Sequence, residues 1–392
     1  MGIKGQVPAH IKPKQFLHPQ PTLRLIRILD HIPDPRKPSC NFQHSLTTIV
    51  FITILASLCG ADDWSVIETL AISMKDWIAR FVDVSSGIPS AHTIERVFSL
   101  ISPEHMEKTL VEVMKLLQEK QETVISFDGK TLRGTLDELG GKRAVHLLNA
   151  WSLENGICLG QRKVEDKSNE ITAIPELMDM LDLQGTIITT DALNTQKTIA
   201  KKAEEKGASY FLPVKGNHKG LLEDIELLFK AAQAAEFKGI DADQYETLEK
   251  SRSRIEKRLY YSMDADELPD KREWAGIKSI GMVIRERMTE KKTSKEIVYY
   301  ISNCDISAKL LGQSVRDHWQ VENGLHWSLD VIFREDKLRY RHEIGARNLA
   351  TIRKMTLGAL GRNQTYKCGK AGRRIMAASD PIFREQVLKN FF

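Results

Sequence analysis

The spacing of apolar residues changes character near residue 122. Before it, hydrophobic positions recur three and four apart, the period of helices packed on one face. Leu25, Ile28, Leu29 and Ile32 predict a first helix over 22–32. The run LTTIVFITILASLC, from Leu46 to Cys59, is apolar on all sides. It is short for a membrane span and holds Thr47, Thr48, Thr53 and Ser57, so it predicts a buried helix. Trp64, Ile67, Leu70, Ile72 and Trp77 mark a helix between Asp63 and Phe81, and 103–120 is amphipathic. Between these two, Pro89 and Ser90 open a helix carrying Thr93, Ile94, Val97 and Phe98. With Arg96 exposed, that turn and helix suit either the second half of a helix-turn-helix or an ordinary helical hairpin.

After Glu122 the runs shorten and become continuous. TVISFD, residues 123–128, has the β-branched and aromatic bulk of a buried strand. AVHLLNAWSL and GICLGQRKV are two more strands, and Glu154-Asn155-Gly156 between them signals a hairpin. TIITTDA and ASYFLPV are further strands, with helices over 169–181, 195–206 and 219–236. The pattern is an α/β core with a mixed sheet. From 237 to 302 the helices stop, and SRIEKRLYYSM, IKSIGMVIRERM and EIVYYISN predict a small β-rich insertion. Helical spacing returns at Ser307 and runs through RDHWQVENGLHWSLDVIF, and ARNLATIRKMTLGAL is a last long helix. The expected division is 1–120 helical, 121–236 first part of the core, 237–302 insertion, 303–361 second part of the core, and 362–392 a basic tail. Residues 1–20, rich in Pro, Lys and His, read as an extended arm.

Composition adds modest constraints. The chain has 392 residues, 42% hydrophobic and 28% charged, the mixture of a soluble globular protein of two or three domains. A formal net charge of +5 is compatible with a polyanionic partner. Cys40, Cys59, Cys158, Cys304 and Cys368 are odd in number and form no CxxC pair, which predicts reduced thiols rather than disulfides or a zinc site. The first residues, MGIKGQVPAHIKPKQ, lack the apolar core of a signal peptide, so the expected location is the cytoplasm.

Two of the apolar strands end in acids, Asp128 and Asp191. An acid there is costly to bury unless a metal ion, an ion pair or water neutralises it. Asp128 precedes Gly129, so it can also cap a turn. A third acid, Glu322, lies in HWQVENGLHW, where His318, Glu322, Leu325, His326 and Leu329 share one helical face. Three carboxylates suit hard divalent cations, which take oxygen ligands. Paired metals of this kind activate a nucleophilic oxygen and stabilise a leaving one in phosphodiester chemistry.

ISFDGKTLRG, TTDALNTQ, LPVKGNH and HWQVENGLHWSLDVIFREDKLR are long, specific strings, as are DPRKPSCNFQHSLTTIVFITILASLCGADDW and GIPSAHTIERVF. Through them the chain resembles the DDE transposases of bacterial insertion sequences, and among these the H-repeat-associated proteins of Rhs elements. The resemblance implies a catalytic core of the RNase H-like, retroviral-integrase-like fold, preceded by a helical DNA-binding domain. It places the three catalytic, metal-holding acids on Asp128, Asp191 and Glu322. It implies Mg²⁺ or Mn²⁺ as cofactor, in two ions, and double-stranded DNA as partner, both the terminal inverted repeats of an element and its target. It further implies a homo-oligomer when two ends are paired, no membrane, and association with the nucleoid when bound to DNA. Where many relatives carry Tyr, Arg and Lys around the Glu, this chain has Val315, His318 and Leu329.

Lys130, Arg133, Lys215, Arg316, His318, Arg334, Lys337, Arg339 and Arg341 are the expected DNA-gripping residues, four of them clustered over 334–341. Asp330, Glu335 and Asp336 are expected to pair with cations or support the site. The implied activity is binding of element ends, strand cleavage and strand transfer. A metal-dependent nuclease on the same fold, or an inactive DNA-binding remnant, are the alternatives.

Overall fold

A computed structural model describes residues 22–391 apart from 38–41, 137–142, 166–169, 252–253, 291, 338 and 340–341. The extended arm over 1–20, Cys40 and Arg341 lie outside the described residues. Six helices come first: α1 (Thr22–Asp30), α2 (Leu46–Leu58), α3 (Trp64–Ser73), α4 (Lys75–Ile78), α5 (Ala91–Phe98) and α6 (Pro103–Leu117). As the unbroken apolar run requires, α2 is buried on nearly every side, and the Ser45 hydroxyl caps it by accepting from the Thr48 N–H at 3.0 Å. None of the described helices is long and apolar enough to cross a membrane.

The strands are β1 (Val124–Leu132), β2 (Val145–Ser152), β3 (Ile157–Val164), β4 (Ile187–Thr189), β5 (Ser209–Val214), β6 (Ala242–Ser251), β7 (Arg254–Asp264), β8 (Ser279–Thr289) and β9 (Thr293–Ser302). They form one mixed sheet in the order β3-β2-β1-β4-β5-β9-β8-β7-β6. β1, β2 and β3 pair antiparallel, with Gly156 at φ +62 in the tight hairpin turn its sequence predicts. β1, β4 and β5 run parallel. The insertion is not a separate small body. β9 pairs antiparallel with β5, so four strands extend the core sheet, including β6, whose polar, exposed sequence hid it.

Helices α7 (Glu170–Asp179), α8 (Lys197–Glu205) and α9 (Lys219–Ala234) follow the strands as crossovers. After β9, α10 (Ala308–His318) runs on through Trp319–Val321 into two wide π-helical stretches, Glu322–His326 and Ser328–Ile332. α11 (Glu343–Arg362) is then buried from Gly345 through Leu360, between the N-terminal helices and the sheet. Its polar side chains are all engaged: Arg347 with Glu107 at 3.1 Å, Asn348 with the Phe98 and Ile101 carbonyls, and Lys354 with Gln161 at 2.6 Å. Arg353, only 1% exposed, reaches the Asp62 carbonyl at 2.9 Å and Glu335 at 3.5 Å. Such groups are tolerated in a core only when paired.

The stretch after 361, expected as a basic tail, is instead two packed helices, α12 (Lys370–Ser379) and α13 (Pro381–Lys389). Phe383, Val387, Leu388 and Phe391 on it are buried in the same apolar cluster as α2 and the sheet. Its basic residues turn inward as well: Arg374 donates to the Ser57 carbonyl at 2.8 Å, the Ile332 carbonyl at 2.6 Å and Asp62 at 2.7 Å. Emptying the Phe383 site should therefore cost about 3 kcal/mol in urea denaturation of Phe383→Ala. Ile382→Ala, at an adjacent residue 72% exposed, should change stability by less than about 0.5 kcal/mol. Equal, negligible effects would mean that this segment does not pack.

Candidate active site

The parallel register of β1 and β4 sets the first two acids. Ser126 stands opposite Thr189, and their hydroxyls are 3.0 Å apart. Asp128 and Asp191 each lie two residues further along, just past the last parallel β1–β4 pair; Asp191 follows the end of β4, whereas Asp128, expected at a strand end, lies inside β1, which runs on to Leu132 against β2. Thr189 also meets His318 Nδ1 at 3.2 Å, which ties the end of α10 to the same strand. Glu322 follows one turn later, where the helix widens. π-helical turns are rare and gather at functional sites.

Asp128, Asp191 and Glu322 line one cleft of about 250 Å³, together with Lys215, His318 and Trp319. Its far wall is Arg285 and Glu296 from β8 and β9, so the strands read as an insertion help to build the site. Each aspartate uses one oxygen locally. Asp128 Oδ1 accepts from the Gly129 N–H at 2.9 Å, and Asp191 Oδ1 from the Asn194 N–H at 3.0 Å. Asp128 caps no turn, because Gly129 and Lys130 continue β1, and each aspartate keeps a second oxygen for the cleft.

Burial, Glu170 and Glu322 push the Asp128 carboxyl up to about 7. Burial raises Asp191 as well. Burial and the nearby Lys130 and Lys354 push His326 down to about 3, so its ring is neutral. His326 Nδ1 lies 3.5 Å from Glu322 Oε2 and 3.8 Å from Asp128 Oδ2. Among the described residues, Asp128, Glu322 and His326 are the group whose ligand atoms lie close enough together to hold a metal ion, and Asp191 is outside that group. Donors around one ion at about 2.1 Å are separated by about 3.0 to 4.2 Å, so the donor set fits a divalent cation. The site has two aspartates raised by burial and by neighbouring acids, and a neutral imidazole; a cation relieves the first and can bind the second. His326 was visible in the sequence only as a companion on the Glu322 face. Its nitrogen as a third donor, and Glu170 as a fourth nearby acid, follow from the fold.

The basic residues divide sharply. Lys130 is not part of an open groove. It is buried, with its amino group 2.5 Å from Asp330, 3.7 Å from Asp336 and 3.9 Å from Glu335, because the segment after the second π-helical stretch folds over β1. Arg316 is engaged by Glu249 on β6. His318 is half-buried and lowered by burial to about 4. Arg133, Lys215, Arg334, Lys337 and Arg339 are exposed, although Arg133 approaches Asp336 at 3.5 Å. Val315 and Leu329, where many relatives carry polar residues, are buried in the apolar core.

The pH dependence of stability follows from Asp128. Its carboxyl is raised from 3.8 to about 7 on folding, so without metal it opposes folding once ionised. The penalty is absent below about pH 4, grows between pH 4 and 7 and is complete above 7. Asp128→Asn in EDTA should match the wild type at pH 4 and exceed it at pH 8 by on the order of 3 kcal/mol. Thermal denaturation at both pH values checks this, and a variant no more stable at pH 8 would show that the acids do not repel.

Comparison with known proteins gives the family. The transposase DDE domain model matches residues 119–358, and a DDE_Tnp_1-associated model matches 26–114. The chain is 39% identical over 370 residues to "Putative transposase YncI" of Escherichia coli O157:H7, covering 93% of this chain and 94% of that one. It is 36% identical over 376 residues to "H repeat-associated putative transposase YhhI" of Escherichia coli K12, covering 93% and 98%. Among solved structures, a piggyBac transposase synaptic complex with hairpin DNA overlays with a TM-score of 0.40 at 10% identity, covering 95% of this chain and 80% of that one. The chain belongs to the DDE transposase family, alongside the H repeat-associated transposases.

Proposed function

We propose that this protein binds the ends of an insertion element and catalyses divalent-metal-dependent strand cleavage and strand transfer. The observation that carries this reading is the convergence of Asp128, Asp191 and Glu322 in one cleft, from two neighbouring strands and a helix far apart in sequence. The strand order β3-β2-β1-β4-β5, antiparallel then parallel, supports an RNase H-like core. The N-terminal helices serve as the DNA-binding part in this reading, and the protein works in the cytoplasm, at the nucleoid when bound.

Asp128, Asp191 and Glu322 hold the metal, with His326 as a further donor. Bound Mg²⁺ or Mn²⁺, in two ions, supplies Lewis acidity to the attacking and leaving oxygens. A nitrogen donor favours Mn²⁺ over Mg²⁺, which prefers oxygen. The first reaction is hydrolysis of a phosphodiester, freeing a 3′-hydroxyl. In the second that hydroxyl attacks a target phosphodiester, so one P–O bond forms as another breaks. Lys215 in the cleft and Arg133, Arg334, Lys337 and Arg339 on the surface contact phosphates, which fixes the DNA without reading it. Two copies act together on paired ends.

Asp128→Asn should reduce cleavage of labelled element ends to background while end binding survives, because phosphate contacts lie elsewhere. A variant cutting at the native rate would remove the metal-site reading. Wild-type protein that cuts but joins no ends would point to a nuclease.

Binding itself should fall steeply with salt. Lys337→Ala should flatten the dependence of log K on log salt by about one, and buried Lys130→Met should leave that slope unchanged. Equal slopes for the Lys337→Ala variant and the wild type would take Lys337 out of the interface.

A further inference from the structure

Glu170 opens α7 and stands outside the three-acid set, yet it touches the support of both aspartates. Its Oε2 accepts from Asn194 Nδ2 at 2.6 Å, and the Asn194 backbone N–H is the group that holds Asp191 Oδ1. Its Oε1 lies 2.7 Å from His146 Nε2 on β2. The His146 Nδ1 is 2.9 Å from the Thr131 hydroxyl on β1. With Nε2 protonated, the ring donates to Glu170 and accepts from Thr131.

On its other side Glu170 presses against Gly129. A Cβ at 129 would sit 2.0 Å from Glu170 Oε1 and 2.4 Å from His146 Nε2, so any larger residue there would push this pair aside. The Gly129 N–H holds Asp128 Oδ1. The two backbone amides that fix the two aspartates are thus both buttressed by one carboxylate. Burial acts to raise Glu170, but the hydrogen bonds from His146 and Asn194 outweigh it, and the group stays ionised beside the cleft. Glu170 lines a second opening together with Asp191 and Asn194, but both of its oxygens are already engaged, by His146 and Asn194.

We propose that Glu170 is a positioning residue. Through Asn194 and against Gly129 it fixes the aim of the Asp191 and Asp128 carboxylates, and its charge strengthens their hold on a divalent cation. This rests on the metal-binding reading above. Partners of this kind, one step removed from the metal, typically change affinity 10–100-fold.

The test is an electron paramagnetic resonance titration of Mn²⁺ into the full-length protein, beside cleavage assays over a range of Mn²⁺ concentration. Glu170→Gln keeps the shape and an acceptor for Asn194 but loses the charge. It should bind Mn²⁺ about 10-fold more weakly and recover cleavage at saturating Mn²⁺. Glu170→Ala, which loses both, should not recover. If Glu170→Gln fails to fold by circular dichroism, Asn194→Ala carries the test. It cuts the link while keeping the backbone N–H, and it should weaken Mn²⁺ binding by a similar factor. Native Mn²⁺ affinity in the folded variant overturns the role of Glu170 alone. Wild-type protein lacking Mn²⁺ uptake that Asp128→Asn abolishes overturns the metal reading, and the role of Glu170 with it.

Discussion

Repulsion among carboxylates is the constraint that shapes this molecule. Asp128 and Asp191 emerge side by side from parallel strands, with Glu170 beside them and Glu322 across the cleft. The nearest buried cation, Lys130, is turned away and saturated by Asp330, Asp336 and Glu335. The two aspartates are therefore held by hydrogen bonds from backbone amides, with Lys215 and Arg285 as the cations in the cleft lining among the described residues. A fold that holds like charges this way is less stable than one that pairs them. The cost makes sense if a multivalent cation is to be bound, since every unit of repulsion relieved becomes binding energy.

Holding such a site together requires rigidity elsewhere, and the buried polar groups supply it. Arg353 links α11 to Glu335, and Glu335 with Asp330 surrounds Lys130 two residues beyond Asp128. Arg374 ties α12 to the Ser57 and Ile332 carbonyls, from the N-terminal helices and the second π-helical stretch respectively. The helical part, the sheet and the last two helices thus share one core and one buried ionic network. Removing any partner would strand a charge in a low-dielectric interior, which costs more than the pair contributes.

Much of this was legible in the sequence, and what escaped has physical causes. The Asn155-Gly156 hairpin and the buried α2 were readable because each rests on local pattern, whereas β1 runs on past Asp128 to Leu132 because Gly129 and Lys130 find partners on β2. β6 was missed because an edge strand with both faces wet has no alternating apolar face to show. The last two helices were read as a tail because lysines and arginines usually mean solvent, and here Arg374 and Arg384 are buried against carbonyls. Lys130 was assigned to a phosphate groove for the same reason. Its acidic partners lie about two hundred positions along the chain, and no spacing rule connects them. Glu170 and His146 acquire meaning only when α7 and β2 are brought against Gly129.

The three acids are not equivalent in how they are held. Asp128 and Asp191 extend from paired strands, and each is fixed by an amide. Glu322 is 61% exposed at its side chain and rides on a π-helical turn. That helix stays on the sheet because Gly324 lies flat against Trp151, where a Cβ would sit 2.7 Å from the indole, and because Asp330 grips Lys130. The strand pair is thus the fixed half of the site and the helix the adjustable half. Glu322 and His326 share with Asp128 one end of the cleft, on the same helix that presents Trp319 and Trp327 to solvent.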